Sequence, residues 1–168
     1  MVIFFETESL HSVQILAGVS ASSINITFGI STAFSAILIP QLEDPSSDLH
    51  LTLAQSSWIA SIVILSGIAG SLAAGPLSES VGRLAAIKLC VIPCVIGWAL
   101  IAIATNFWSM VVGRILVGFG VGIGGATFVV YVTEIARPDI RGSLISCGVT
   151  LASFGALSLS TAAELKLM

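Results

Sequence analysis

Five long stretches of apolar and small residues, 13–39, 53–77, 84–104, 108–133 and 143–163, alternate with short polar breaks along this chain. None contains an acidic residue, and the basic residues inside them are Lys88 and Arg114. An apolar run of about 20 residues spans the hydrocarbon core of a bilayer as a helix. The pattern predicts an all-α integral membrane fold of about five transmembrane helices, with residues 1–12 as a cytoplasmic N-terminus and 164–168 as a short tail.

The spans differ in texture. The first carries Ser20, Ser22, Ser23, Asn25, Thr27, Ser31, Thr32 and Ser35, more hydroxyls than a lipid-facing helix needs. Such a helix either lines a watery cavity or returns its hydroxyls to its own backbone, and cavity lining is expected here. Asn25-Ile26-Thr27 matches a glycosylation sequon but falls in mid-span, so it is read as chance. Pro40 is expected to close this helix. The second span carries Ser66, Gly67, Gly70, Ser71, Ala74 and Gly75 at three- and four-residue intervals, a stripe that lets a neighbouring helix approach closely. A tight turn over Ser78 to Arg83 is expected next. Pro93 is expected to kink the third span, and Trp108 sits where an interfacial aromatic belongs.

Composition sharpens the class. The chain is 56% hydrophobic and 9% charged, with mean hydropathy +1.08, too apolar for a soluble domain to cover its surface with polar groups. The net charge of -3 matters less than where the basic residues lie. The first polar break holds Glu43, Asp44 and Asp48 without Lys or Arg, whereas Arg83, Lys88, Arg137 and Arg141 fall in or beside the alternate breaks. By the positive-inside rule the N-terminus is cytoplasmic. Nucleic acid is not an expected partner; the lipid bilayer is. Cys90, Cys94 and Cys147 lie in apolar runs without His or acidic neighbours, so neither a metal nor any cofactor is expected. No nucleophile, base and orienting group converge, so the chain does not read as an enzyme.

Three features stand out within this frame. Arg114 lies about six residues into the fourth span, where an arginine costs on the order of 2.5 to 3.5 kcal/mol at the helix centre and less near the interface. It either snorkels, faces an aqueous pathway or pairs with a neighbouring helix, and no carboxylate is available at its depth. A proton-coupled carrier normally needs a titratable group in the membrane, so the sequence favours a passive pathway. Gly118, Gly120, Gly122 and Gly124 form two overlapping GxxxG spacings, which predicts a helix approached closely on two faces. Gly120, Gly122 and Gly125 also spell a dinucleotide fingerprint, but no strand precedes them and that reading is discarded. Finally, Glu79 with Arg83 and Glu134 with Arg141 flank two inner breaks, placed to pair across an inner mouth.

Gly75-Pro76-Leu77-Ser78-Glu79-Ser80-Val81-Gly82-Arg83 resembles the loop signature between helices two and three of the major facilitator superfamily. Tyr131-Val132-Thr133-Glu134 with Arg141-Gly142 downstream and Gly113-Arg114 upstream resembles its sugar porter branch, and Ser57-Trp58 with the Phe28-Gly29 to Ala36 stretch is similar too, closest to the insect facilitated trehalose transporters and their hexose-carrying relatives. The resemblance covers about Ile24 to Leu144. It implies the N-terminal half of a twelve-helix carrier working by alternating access, with sugar bound near the midplane between two halves. It also implies that Glu79, Arg83, Glu134 and Arg141 form an inner gating network. Arg114 matches the family's helix-four arginine, which in proton-coupled members faces an aspartate on helix one; Ser31 stands at that position here. Leu84 departs from a usual second basic residue, and Val149 stands near the place of a sugar-binding glutamine. Ser31, Thr32, Arg114, Val149, Ala152 and Ala156 are the expected pathway residues.

The function expected from residues and resemblance together is facilitative, non-proton-coupled transport of a sugar such as trehalose or a hexose at the plasma membrane. This chain is expected to be a truncated form inactive alone. The alternative is a non-transporting half-carrier that associates with a full-length carrier, or with itself, through its glycine-rich fourth helix.

Overall fold

The structure is a computed structural model that describes residues 13–43 and 52–167. The first span is a helical segment, α1, over 13–22, interrupted at Ser23 and resumed as α2, Ile24–Glu43. The others are α3, Leu53–Val81; α4, Arg83–Leu89; α5, Val91–Ala102; α6, Phe107–Ile135; and α7, Pro138–Leu167. Five helical stretches are long and apolar enough to cross a membrane: Val13–Leu38, Ala54–Val81, Arg83–Ala102, Phe107–Ile135 and Pro138–Leu165. The first and third of these are each assembled from two helices.

The helix ends follow local chemistry. Thr52 opens α3 with a reciprocal capping box: its hydroxyl accepts from the Gln55 amide at 3.4 Å while its own amide donates to Gln55 Oε1 at 2.9 Å. Asn106 caps α6 in the same spirit, accepting from the Ser109 amide at 2.9 Å. Pro138 is the first residue of α7, where a missing amide hydrogen removes nothing from the helix.

Several boundaries differ from the sequence expectation. Helix α2 runs through Pro40 to Glu43 rather than stopping at the proline, because a proline near the end of a helix deletes only one backbone bond. The Ser78 to Arg83 break is not a loop: α3 remains helical to Val81, with Pro76 inside it, and the chain reverses at Gly82 alone. Gly82, at φ 89° and ψ 153°, is the single positive-φ residue among those described, a conformation that a side chain resists. Arg141 lies in the first turns of α7 and not in a loop, and residues 164–167 continue the same helix. The third span breaks at Cys90, three residues before Pro93. Lacking an N–H, Pro93 leaves the Leu89 carbonyl without its helical donor, and its ring crowds that carbonyl, so the irregularity appears one turn earlier.

Helix α6 is the hub. Gly118 meets Val63 and Ser66, and Gly122 meets Gly67, all on α3; Gly120 meets Cys90, Pro93 and Cys94, and Gly124 meets Cys90 and Ile24. The alternating glycines therefore open two faces of one helix to two different neighbours. Gly97 of α5 faces Gly113 and Val117 of α6 in turn. A second pairing runs between α2 and α7, where Gly29 meets Ala152 and Ala156, and Gly155 meets Ile26. Between two apolar clusters at opposite ends, one around Ile59, Ile101, Met110 and Val117, the other around Ala21, Ile87, Val132 and Leu144, lies a small central one of Ala74, Cys90 and Ile123. Large apolar side chains such as Ile64, Leu72 and Phe154 point outward, as they do on a protein whose solvent is lipid.

Candidate functional site

Arg114 is fully buried, at 0% exposure, where α6 crosses α2. Its Nη1 donates to the Ser31 carbonyl at 3.3 Å and its Nη2 to the Ser35 hydroxyl at 2.6 Å. The guanidinium carbon stands 4.8 Å from the centroid of the Phe34 ring, and Phe34 in turn meets Trp98 of α5 edge-on at 5.3 Å and 88°. The three α2 contacts come from residues 31, 34 and 35, a spacing that places them on one helical face. Every partner is neutral. Such hydrogen bonds to a charged group contribute roughly 1.5 to 3 kcal/mol each, and a desolvated cation over a ring contributes about 2. Together they offset a desolvation penalty of several kcal/mol for the buried cation. The Arg114 Nε and the Ser31 hydroxyl have no hydrogen-bond partner among the described residues.

The sequence placed Arg114 without a carboxylate at its depth. The structure supplies instead a carbonyl, a hydroxyl and a ring, partners that charge counting misses. Phe34, Ser35 and Trp98 are the residues overlooked. The spacing of Ser31, Phe34 and Ser35 is a visible signal, but nothing in one sequence says which face of α2 meets α6.

Other expected pathway residues scatter. Ser31 is buried against Arg114. Thr32 is exposed and donates to the Phe28 carbonyl of its own helix at 3.0 Å. Val149 is 65% exposed, whereas Ala152 and Ala156 are half-buried against Gly29, where they serve packing between α2 and α7. The hydroxyls of the first span divide accordingly. Ser22, Ser23 and Thr32 donate to backbone carbonyls of the same span, Ser35 donates to the Ser31 carbonyl at 3.4 Å while accepting from Arg114, and Ser20, Ser23 and Thr27 line a cavity.

At the other end of α6, Arg83 reaches Glu134. Its Nε lies 3.2 Å from both carboxylate oxygens and its Nη2 3.0 Å from Oε1. Its Nη1 donates to the Ser78 carbonyl at 3.1 Å, closing the last turn of α3. One side chain thus ties the ends of α3, α4 and α6. The pair is partly open, with side-chain exposures of 32% and 48%. Arg141 does not join it: its Nη2 donates to the Ala136 carbonyl at 3.4 Å, because its place inside α7 turns it toward the end of α6. Glu79 forms no ion pair among the described residues and acts on Arg83 only through longer-range attraction. Arg137 pairs instead with Asp139 at 3.5 Å, on the surface. No group of His, Cys, Asp or Glu able to hold a metal occurs among the described residues.

A family profile described as "Sugar (and other) transporter" matches residues 16–162, a wider range than the motifs alone marked. The human "Solute carrier family 2, facilitated glucose transporter member 6" is 41% identical over 147 residues, covering 86% of this chain and 29% of the relative. The "Facilitated trehalose transporter Tret1" of Polypedilum vanderplanki is 33% identical over 143 residues, 84% of this chain and 28% of its own length. The bovine "Solute carrier family 2, facilitated glucose transporter member 8" is 37% identical over 133 residues. The likeness to glucose transporters is thus at least as strong as to trehalose transporters. The chain spans less than a third of the length of these relatives. With five membrane-spanning helices and a sugar transporter match over most of its length, the chain belongs to the sugar porter branch of the major facilitator superfamily.

Proposed function

We propose that these five helices belong to the N-terminal half of a facilitative carrier that passes a sugar such as trehalose or a hexose across the plasma membrane by alternating access, without proton coupling. The observation that carries this reading is the neutral setting of Arg114: among the described residues, this buried cation is held by Ser31, Phe34 and Ser35. The carboxylates within the five spans are Glu79, Glu134, Asp139 and Glu164, each in a terminal turn of its helix. A proton relay needs a titratable group deeper than that. On this reading Thr32 and Val149 meet the pathway, and Arg114 with Ser31 holds α2 against α6. The Arg83 to Glu134 pair biases one conformation at the inner mouth, with Glu79 adding longer-range attraction. The basic residues Arg83, Lys88, Arg137 and Arg141 gather at one end of the bundle, which supports a cytoplasmic N-terminus.

A chimera tests it: residues 16–162 replace the matching part of a facilitated glucose transporter, and uptake of labelled glucose and trehalose is followed from external pH 6 to 8. Saturable uptake that is flat with pH and does not accumulate sugar above its gradient is expected. Accumulation driven by external acid overturns the uniport reading. The chain expressed alone is expected to give no saturable uptake, and altered uptake on co-expression with a full-length carrier marks the half-carrier alternative.

A further inference from the structure

Arg114 donates through Nη1 and Nη2, but its Nε–H has no acceptor among the described residues, and the hydroxyl of Ser31 has no partner there either. Both side chains are more than nine-tenths buried, at 0% and 4% exposure. They belong to one contact, since the Ser31 carbonyl accepts from Nη1 of the same guanidinium. The Nε of arginine only donates, and a serine hydroxyl always has a proton to give. Buried donors are costly when left unpaired, and nearly all find an acceptor. The positive charge is also without a counter-charge: the ion pairs among the described residues are Arg83 with Glu134 and Arg137 with Asp139, and Arg114 enters neither. Glu134, on the same helix, stands about 30 Å away along the axis. The Phe34 ring over the guanidinium packs against an apolar cluster that includes Ile59, Ile101 and Val117. Two spare donors, an uncompensated cation and apolar walls are the surroundings that suit a small anion.

We propose that Arg114 and Ser31 bind a chloride ion, which accepts from the Arg114 Nε–H and from the Ser31 hydroxyl. Water can satisfy either donor, but it leaves the cation uncompensated in a medium of low dielectric, where an anion pairs with it strongly. Full burial favours a single-atom ion over phosphate or sulfate, whose further oxygens need donors that Phe34 and the aliphatic side chains around it do not offer. The ion joins α2 to α6 through both residues, so chloride stabilises this helix pair. Chloride carries no proton at physiological pH, and its presence leaves the absence of proton coupling untouched. Because both side chains are closed off from solvent, exchange is slow and the anion is set during purification.

The test uses the whole chain purified in neutral detergent in sodium chloride, sodium bromide or sodium gluconate at equal ionic strength, with thermal unfolding followed in each. At about tenfold excess over its dissociation constant, chloride should raise the midpoint by about 3 to 5 °C over gluconate, with bromide close behind. Equilibrium binding of radiolabelled chloride should give a single ion per chain. Ser31→Ala removes one donor to the anion and should weaken chloride binding at least about tenfold. Arg114→Met should abolish the shift, whereas Arg137→Gln, which removes an exposed cation, should keep it. Ser31→Ala is the milder change and carries the test if Arg114→Met does not fold. Equal midpoints in the three salts with no bound chloride assign the two donors to water and overturn the proposal. A chloride shift undiminished in Ser31→Ala, or one that survives in Arg114→Met, overturns it as well.

Discussion

Arg83 and Glu134 lie fifty-one positions apart and meet in a forked contact, Nε 3.2 Å from both carboxylate oxygens. The same guanidinium holds the Ser78 carbonyl, so the pair is also a brace at the reversal between α3 and α4. The exposure of both partners keeps its energy small. Glu134→Gln should lower unfolding stability only slightly, because solvent screens the pair. A double-mutant cycle with Arg83→Gln in detergent micelles should give a coupling energy that shrinks in 1 M salt. A strong coupling unmoved by salt would show that the pair is buried in a way its exposure denies.

Arg114 presents the opposite case, a buried cation among neutral partners. Replacement by a hydrophobe of similar length removes the desolvation penalty along with the hydrogen bonds. Arg114→Met is therefore expected within about 1 kcal/mol of wild type or more stable. Arg114→Ala leaves the volume empty and should lose about 2 to 4 kcal/mol. Unfolding midpoints of the two variants in the same detergent decide the matter; equal losses in both would mean that the charge itself stabilises the bundle.

The glycines divide by what a side chain would meet. A β-carbon on Gly70 would overlap the Phe119 carbonyl, and one on Gly122 would overlap that of Gly67. Gly70→Val should part α3 from α6 and cost at least about 3 kcal/mol, at the top of the usual range for overpacking. Gly125 has open space around it. There Gly125→Ala should be neutral or stabilise by up to about 1 kcal/mol through helix propensity. Thermal unfolding of both variants checks the contrast, and a tolerant Gly70 would contradict the α3 to α6 contact.

Gly82→Ala forces a Cβ onto a backbone at φ 89°. The expected loss is about 1 to 3 kcal/mol, with no neighbour within 4 Å to share the blame. Proteolysis at the α3 to α4 reversal should rise in that variant; unchanged protection and stability would mean that the reversal has another conformation open to it.

Much of the fold was legible because the membrane imposes a simple rule: apolar runs long enough to cross must be helices. That rule located five spans from hydropathy alone. It is blind to the ends of helices, where the structure departed most. The continuation of α2 past Pro40, the helical course of α3 to Val81 and the break at Cys90 depend on single backbone bonds that hydropathy averages away. The motifs similarly located Arg83 and Glu134 but not Arg141, whose position within α7 turns it to the Ala136 carbonyl.

What the sequence determined by itself was the class, the family and the number of spans, because these depend on composition and on short motifs that need no partner to be read. What only the tertiary structure decided was pairing. Ala152 and Ala156 pack on Gly29, Gly118 and Gly120 serve different neighbours, and Arg114 finds a carbonyl, a hydroxyl and a ring. Each depends on the rotation of one helix against another. That rotation is set by close contacts between backbones rather than by any hydrophobic difference from the surrounding lipid.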